Sequence, residues 1–120
     1  MGWVDWNMAL DTQGGPNWTN NFVDSPIIIN AGAGEYYRQP SYYALAHFSK
    51  FLPPGAVRVD TTSTGSKASV AAFRRPDNSV AVIVVNNDNT EIDLTLEDGK
   101  EGRVMGKVGP KTIQTYVYYD

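Results

Sequence analysis

The chain has 120 residues, of which 42% are hydrophobic and 19% charged, with one histidine and no cysteine. Its length and composition are typical of one ordinary globular domain, and the lack of cysteine excludes disulfides, thiolate metal sites and cysteine nucleophiles. The formal net charge of −3 argues against nucleic acid as a partner, because no basic surface is available to meet phosphates.

The N-terminal part of the chain, as far as Leu52, is rich in aromatic residues and asparagine. Gly2–Leu10 is apolar enough to predict one buried strand. The glycines and the proline at positions 14–16 cannot continue a strand or a helix, so a turn is predicted there. The β-branched run Pro26–Ile29 predicts a second, short strand, bounded by Asn30 and by the glycines at positions 32 and 34.

The clearest helix signal lies at Pro40–Phe51. Proline is accepted in the first turn of a helix, where its missing N–H is not needed. The apolar residues that follow have helical spacing. Pro53, Pro54 and the glycine after them predict a sharp end to the helix.

From Pro53 onward the sequence is typical of short strands separated by turns. Val80–Val85 is apolar without alternation, which predicts a central strand that is covered on both faces. Pro76–Asn78 predicts a tight hairpin turn before it. Strands at this spacing indicate a β-sandwich or half of one. The predicted strands are Ala56–Thr62, Ala68–Phe73, Val80–Asn86, Ile92–Leu96, Arg103–Val108 and Thr112–Tyr119.

Three blocks in the first half of the chain carry a family resemblance. They are Gly2–Asp11 with the Gly-Gly-Pro-Asn-Trp run at positions 14–18, Asp24–Ile28, and Gln39–Gly55 followed by Arg58 and Val59. Their order and spacing are similar to those of glycoside hydrolase family 30 enzymes of the glucosylceramidase type. The second half resembles that family more loosely, through its length, its strand pattern and its aromatic last strand.

The resemblance implies a mainly β fold made of two parts. Residues 1–52 would be the last β/α unit of a (β/α)8 barrel, with Gly2–Asn7 as the eighth strand and Pro40–Phe51 as the eighth helix. Residues 53–120 would be the C-terminal strands of a β-sandwich domain. Barrel active sites lie at the C-terminal ends of the strands, so the end of the eighth strand and the loop after it are expected at the substrate pocket.

Two residues are predicted to bind substrate because of this resemblance. Trp6 would form an apolar platform for the C–H face of a glucose ring, and Asn21 resembles the loop asparagine that lines the family's pocket. The alternative for Trp6 is a core tryptophan that fills the end of the barrel. Trp3 and Trp18 are expected to be packing residues, and Asp5 is expected to orient its neighbours by hydrogen bonds.

No catalytic residue is assigned in this chain. Retaining glycosidases use two carboxyl groups about 5 Å apart, and in the family both are glutamates on earlier barrel strands. The glutamates present here, Glu35 in a glycine-bounded loop and Glu91, Glu97 and Glu101 in the β half, are expected to be solvated, without a partner in a shared cleft. The single histidine, His47, is expected to pack on the apolar side of its helix.

Two functions fit these observations. The chain is either part of a hydrolase that cleaves the β-glucosidic bond of glucosylceramide in sphingolipid metabolism, and inactive alone, or a non-catalytic carbohydrate-binding or protein-interaction module. The expected ligand is a β-glucoside or a glucosylceramide-like glycan, held in a pocket that further barrel strands complete. No cofactor and no metal are expected, and unpaired strand edges predict self-association.

Signals for targeting and modification are weak. The first residues lack the basic start and apolar core of a signal peptide, and the longest apolar run, Val80–Val85, is too short to span a bilayer, so no transmembrane segment is predicted. A lysosomal or secreted location is expected only if a signal precedes the chain. The tripeptide at positions 17–19 (Asn-Trp-Thr) matches an N-glycosylation sequon, and we expect this match to be due to chance and Asn17 not to carry a glycan.

Overall fold

The computed structural model of the chain describes residues 2–64 and 68–119. It divides into two compact units, Met1–Ala46 and His47–Asp120. The helix predicted from the sequence crosses this division, and the domain boundary expected after residue 52 stays a prediction.

The first unit contains a small three-stranded sheet. Its strands are β1 (Ala9–Asp11), β2 (Ile27–Asn30) and β3 (Glu35–Arg38), in the order β1-β2-β3. Strand β1 runs parallel to β2, and β2 pairs antiparallel with β3. The short strand predicted around Ile27 is therefore confirmed, with a displacement of one residue.

Strand β3 is not evident from the sequence, and the expectation that Glu35 lies in a loop is wrong. Glu35 begins the strand and pairs with Asn30. Gly34 adopts a φ of +67°, a conformation that glycine reaches without strain, and this lets the chain reverse direction. The glycines that suggest a long loop therefore make a short hairpin connection.

The buried strand predicted at Gly2–Leu10 is wrong for most of its length. Strand β1 begins only at Ala9, and residues 2–8 form no helix or strand. Trp3 and Trp6 in this segment expose more than three-quarters of their surface. A parallel strand needs hydrogen-bonded neighbours, and no described strand pairs with residues 2–8. Gly2–Asn7, expected as the eighth barrel strand, is therefore not a strand here.

Helix α1 spans Pro40–Ser49 and ends two residues before the predicted limit. Beyond it, the N–H of Leu52 donates to the carbonyl of Phe48 (2.9 Å), and Pro53 cannot extend the helix. None of the helix residues is buried. Among residues 2–64 and 68–119, no helix has the length and apolar character needed to cross a membrane.

The second unit contains a four-stranded sheet and a two-stranded ribbon. The sheet has the order β4-β5-β6-β9, and the ribbon pairs β7 with β8. All of these pairings are antiparallel. The six strands predicted in this half of the chain are confirmed, with differences at their ends. They are β4 (Val57–Val59), β5 (Ala68–Arg74), β6 (Val80–Asn86), β7 (Ile92–Asp98), β8 (Gly102–Val108) and β9 (Thr112–Tyr118).

Strand β6 forms the centre of the core. It lies between β5 and β9 and is buried on both faces, which confirms the prediction made from its unbroken apolar run. On one face Val80, Val82 and Val84 pack in a cluster with Val108 of the ribbon. Burial of a valine contributes about 1.5–3 kcal/mol, so this row accounts for much of the stability of the unit.

The other face of β6 lies beneath the end of helix α1. Ile83 is buried there, and its neighbour on β9 is Thr115. The Oγ1 of Thr115 lies 2.7 Å from Nδ1 of His47, whose ring also lies beside that of Phe51. His47 therefore packs and forms a hydrogen bond, in agreement with its expected structural role.

The sheet and the ribbon separate toward one end of the second unit. In β8, burial is complete at Val108, whereas Val104 and Met105 are mostly exposed. Between the sheet and the ribbon lies an open space of about 1060 Å³, named here the inter-sheet groove. At the open end, the hydroxyl of Tyr118 donates to Oδ2 of Asp98 (2.9 Å).

A buried asparagine joins two turns at the opposite, closed end. Asn86 is 1% exposed. Its Nδ2 lies within 3.1 Å of the carbonyl oxygens of Thr90, Val108 and Gly109, and its Oδ1 accepts the N–H of Asp88 (2.9 Å). One side chain therefore satisfies backbone groups in the β6–β7 connection and at the end of β8.

The turn between β5 and β6 is the tight hairpin predicted from the sequence. The N–H of Arg75 donates to the carbonyl of Ser79, and Asn78 adopts a φ of +66°. The hydroxyl of Ser79 donates to the carboxylate of Asp77 (2.6 Å) and lowers the pKa of that carboxyl below its ordinary value of 3.8. Burial opposes this effect, while the N–H of Ser79 and the charge of Arg75 reinforce it.

We expect this hairpin to weaken in acid. The pKa of Asp77 is lower in the folded chain than in the unfolded chain, so its contribution is present above about pH 3.8 and is lost as the pH falls through the folded value. Asp77→Asn should reduce the acid dependence of the melting temperature, measured from about pH 5 down to about pH 2. Equal dependence in both proteins would contradict this prediction.

We also expect the rate of amide hydrogen exchange to be much lower in β6 than at the start of the chain. The amides of Val80–Val85 lie in a strand that is paired on both sides and should be the slowest. Those of residues 3–8 have no strand pairing and should exchange at nearly the rate of an unfolded chain. Hydrogen exchange followed by mass spectrometry measures both, and protection of residues 3–8 would show the prediction to be wrong.

Candidate functional site

The segment before β1 carries the predicted sugar platform. Trp6 is 83% exposed, and its backbone N–H donates to Oδ1 of Asp5 (2.9 Å), so Asp5 orients its neighbour as expected. The described residues leave this indole largely uncovered. An uncovered indole offers a flat apolar face against which the C–H groups of a sugar ring can pack.

The loop that contains Asn21 is held by Asn17. The Oδ1 of Asn17 accepts the N–H groups of Thr19 (3.2 Å) and Asn21 (3.1 Å). Asn20 has a φ of +55°, which asparagine tolerates better than most residues. The side chain of Asn21 is exposed at the end of this turn. The sequence indicates Asn17 only as a glycosylation sequon and gives no sign of its positioning role, apart from the general preference of asparagine for turns.

The same arrangement bears on glycosylation. The Nδ2 of Asn17, the atom to which an N-linked glycan attaches, is buried and has no hydrogen-bond partner among the described residues. This nitrogen is therefore inaccessible in the folded loop.

Trp3 and Trp18 are not packing residues in this structure, contrary to expectation. Trp3 is 78% exposed and Trp18 is fully exposed. The prediction is wrong because an apolar side chain needs neighbours to bury it, and the described residues do not cover either indole. With Trp6 and Phe22, they are large apolar side chains of the first unit that are open to solvent.

The four glutamates lie on strand β3 and on or beside the β7–β8 ribbon. Glu35 accepts a hydrogen bond from a tyrosine hydroxyl on its own strand (2.8 Å), and Glu91 pairs with Lys107 (2.7 Å). Glu97 and Glu101 both line the inter-sheet groove, so the expectation that no two glutamates share a cleft is wrong. Both are exposed near the tip of the β7–β8 ribbon and lack the apolar surroundings of an acid catalyst.

A second candidate site lies in the first unit, and the sequence did not indicate it. It is a cleft of about 540 Å³ beside the three-stranded sheet, named here the Asp11 cleft. Carboxylates, amides and aromatic rings all contribute to its lining. The lining residues that bear on its chemistry are Asp11, Gln13, Phe22, Asp24, Tyr37 and Gln39.

Asp11 is fixed by the turn that follows β1. Its Oδ1 accepts the N–H groups of Gln13 (2.8 Å) and Gly15 (2.9 Å). The bond from Gly15, followed by that from Gln13, lowers the pKa of the Asp11 carboxyl below its ordinary value of 3.8, so the group stays ionised in mildly acidic solution. An aspartate before a glycine-rich turn is a signal for this local structure, although not for a cleft.

Only glycine fits at position 14 in this turn. Its φ is +79°, and a Cβ built there would lie 2.6 Å from the carbonyl oxygen of Val23. The close approach of these two backbone segments brings Gly14 and Val23 together in one wall of the Asp11 cleft. Within the part of the chain that the structure describes, no three histidine or acidic side chains come together as metal ligands.

Two family models match the chain in succession. The model of the glycosyl hydrolase family 30 TIM-barrel domain matches residues 1–52, and the model of the family 30 beta sandwich domain matches residues 55–116. The chain belongs to glycoside hydrolase family 30. The predicted family is thereby confirmed, as is the predicted fold class, in which the end of a TIM barrel is followed by a β-sandwich.

Family 30 relatives extend this result to the sequence level. The chain is 42% identical over 118 residues to the lysosomal acid glucosylceramidase of Mus musculus, an alignment that covers 98% of this chain and 23% of that protein. It is 32% identical over 123 residues to an endo-1,6-beta-D-glucanase of Neurospora crassa, covering 93% of this chain and 25% of the relative. The chain therefore spans about a quarter of the length of these relatives.

Solved structures of the family share the fold. The crystal structure of SrfJ from Salmonella typhimurium superposes with a TM-score of 0.91 at 28% identity, covering 97% of this chain and 26% of that one. An endo-beta-1,6-glucanase superposes with a TM-score of 0.86, also at 28% identity, over 96% of this chain and 26% of its own. A family 30 architecture thus accounts for both units of the chain.

Proposed function

We propose that this chain supplies the last β/α unit and the β-sandwich of a retaining β-glucosidase whose substrate is glucosylceramide or a similar glycan. The observation that carries the proposal is the 42% identity to the mouse lysosomal acid glucosylceramidase, which runs along 98% of the chain. A role in sphingolipid metabolism would follow from that substrate. The 120 residues alone are proposed to be inactive.

In the proposed enzyme this chain contributes residues that bind the sugar, and other barrel strands contribute the catalytic carboxyl groups. Trp6 and Asn21 are proposed to bind the sugar, the first through its exposed indole and the second through its exposed side-chain amide. The Oδ1 of Asn17 holds the backbone N–H of Asn21 in the loop that carries this amide. The two carboxyl groups of the retaining mechanism would come from earlier barrel strands, as the family resemblance implies. The exposed glutamates of this chain do not provide such a pair.

A chimeric enzyme tests this proposal. The 118-residue segment of the mouse glucosylceramidase that aligns with this chain would be replaced by the chain itself. We expect the chimera to hydrolyse a fluorogenic β-glucoside and glucosylceramide, because the substituted segment would contribute binding residues and the remainder would contribute the carboxylates. The isolated 120-residue chain, purified away from host glycosidases, should show no turnover.

Two results would contradict the proposal. One is a chimera that folds, as shown by its melting temperature, but hydrolyses neither substrate. The other is turnover by the isolated chain that persists when traces of host enzyme are excluded by a mock purification.

We further propose that the isolated chain associates with itself. The reasons are the apolar side chains exposed in residues 2–8 and the outer edge of β1, which no described strand pairs. Sedimentation velocity at increasing concentration should show species larger than 13.2 kDa. A single monomeric species at all concentrations would argue against this association.

The second candidate function is a non-catalytic carbohydrate-binding module. One observation favours it, namely that the Asp11 cleft lies wholly within the first unit and is formed by residues 11–39. A ligand in that cleft would need no residue from another part of an enzyme.

A further inference from the structure

We propose that the Asp11 cleft binds a neutral saccharide through residues other than Trp6 and Asn21. Neither of those two residues lines the cleft. The proposal rests on the second candidate function, a carbohydrate-binding module, and names its ligand class; it does not depend on the glucosidase function, because every lining group belongs to the first unit.

The first argument is the presence of oriented acceptors. Asp11 receives two backbone N–H groups on Oδ1, and Asp24 receives the N–H of Ser25 (2.8 Å) and Nε2 of Gln39 (3.3 Å) on its own Oδ1. The described residues place no hydrogen bond on the second oxygen of either carboxylate. Each carboxylate is thus held by one oxygen and offers the other, so little conformational entropy is lost when a ligand hydroxyl donates to it.

The second argument is the apolar surface next to these acceptors. Ile28 and Tyr37 are direct neighbours across strands β2 and β3, and both line the cleft. Phe22 lies in the same lining with more than half of its surface exposed. A ligand that fits must present apolar C–H faces to these side chains and hydroxyl groups to the carboxylates. A sugar ring has both in a rigid frame, so each half of the cleft meets a matching surface.

Charge and size narrow the choice of ligand. The carboxylates of Asp11 and Asp24 both line the cleft, so they would repel phosphorylated or uronic-acid ligands, which carry charge of the same sign. The described residues do not bring together the three acidic or histidine groups that a metal ion needs. The cleft is open to solvent and has a volume of about 540 Å³, which accommodates a small ligand. A neutral mono- or disaccharide satisfies all three conditions.

An NMR titration of the full chain with gentiobiose, a neutral glucose disaccharide, tests the proposal. We expect saturable shifts at the amides of residues 11–15, 22–24 and 37–39. Asp24→Asn keeps the shape and the oxygen that accepts from Ser25 and Gln39, but it replaces the free acceptor by an NH2 group. The dissociation constant should rise at least about tenfold, as for the loss of one hydrogen bond to a charged group.

Matched controls distinguish binding in the Asp11 cleft from binding elsewhere on the chain. Glu97→Gln removes the same charge from the second unit and should leave the dissociation constant unchanged, and Trp6→Ala should leave the shifts in the Asp11 cleft in place. Glucuronic acid should bind more weakly than glucose. The proposal is overturned if the shifts map only to Trp6 and Asn21, if no saturable shift appears, or if Asp24→Asn, with its spectrum otherwise intact, binds as well as the parent chain.

Discussion

Replacing Asn86 by alanine should lower the free energy of unfolding of the second unit by about 2–4 kcal/mol. The side chain is buried. Its Nδ2 donates to three carbonyl oxygens, and its Oδ1 accepts the N–H of Asp88. Alanine removes the partner of these partly or fully buried backbone groups. Asn86→Asp should be worse, because it would place a negative charge against the carbonyl oxygens of Thr90, Val108 and Gly109.

The adjacent Asn87 supplies the control. Its side chain is exposed, and its carbonyl, which accepts from Nζ of Lys111 (2.6 Å), does not depend on the side chain. Asn87→Ala and Asn87→Asp should change stability by less than about 0.5 kcal/mol. Stability would be read from the exchange of β6 amides under native conditions. A loss of less than about 1 kcal/mol for Asn86→Ala would mean that the three carbonyls find other partners.

Removing the indole of Trp6 from the chimeric glucosidase should lower kcat/KM by about 10- to 100-fold. The estimate follows from about 1.5–3 kcal/mol for the apolar contact of a large side chain and about 1.4 kcal/mol per tenfold change in rate. If the indole contacts the sugar equally in the ground state and the transition state, the loss appears in KM, and if it contacts the transition state more closely, the loss appears in kcat.

Trp18 is the matched control for this measurement. It has the same side chain, lies in the same unit and is fully exposed. Trp18→Ala should therefore keep kcat/KM within about twofold, since surface substitutions usually cost little. Asn17→Ala is the third variant, because it removes the acceptor for the N–H of Asn21 and should reduce activity less than Trp6→Ala. Equal effects of Trp6→Ala and Trp18→Ala would remove the case for a sugar platform at Trp6.

The second unit could be predicted closely because its signals are local. The unbroken apolar run at Val80–Val85 marks a strand covered on both faces, and the turn at Pro76–Asn78 fixes where it begins. The first unit was predicted less well because its apolar residues are buried only if other strands cover them. Trp3 and Trp6 have the apolar character of a barrel strand, but burial depends on neighbouring strands, which a single segment cannot supply.

The two candidate sites also differ in how far the sequence predicts them. Trp6 and Asn21 come from a family resemblance, and their binding role stays a prediction. The sequence did not predict the Asp11 cleft, because its lining residues are spread over positions 11–39. They come together only when β1 pairs parallel with β2 and β3 pairs antiparallel with β2. An error in this region, such as placing Glu35 in a loop, hides the strand that carries Tyr37 and with it one wall of the cleft.

The β7–β8 ribbon is attached to its sheet unequally at its two ends. Asn86 donates to backbone carbonyls where β8 ends, whereas at the far tip the hydroxyl of Tyr118 donates to Asp98. We expect local opening to begin at this tip and to expose Leu94 and Leu96, which pack against the core, while β6 keeps its pairing with β5 and β9. Tyr118→Phe removes this hydrogen bond and should accelerate amide hydrogen exchange in β7 and β8 more than in β6. Equal acceleration in all three strands would mean that the unit opens only as a whole.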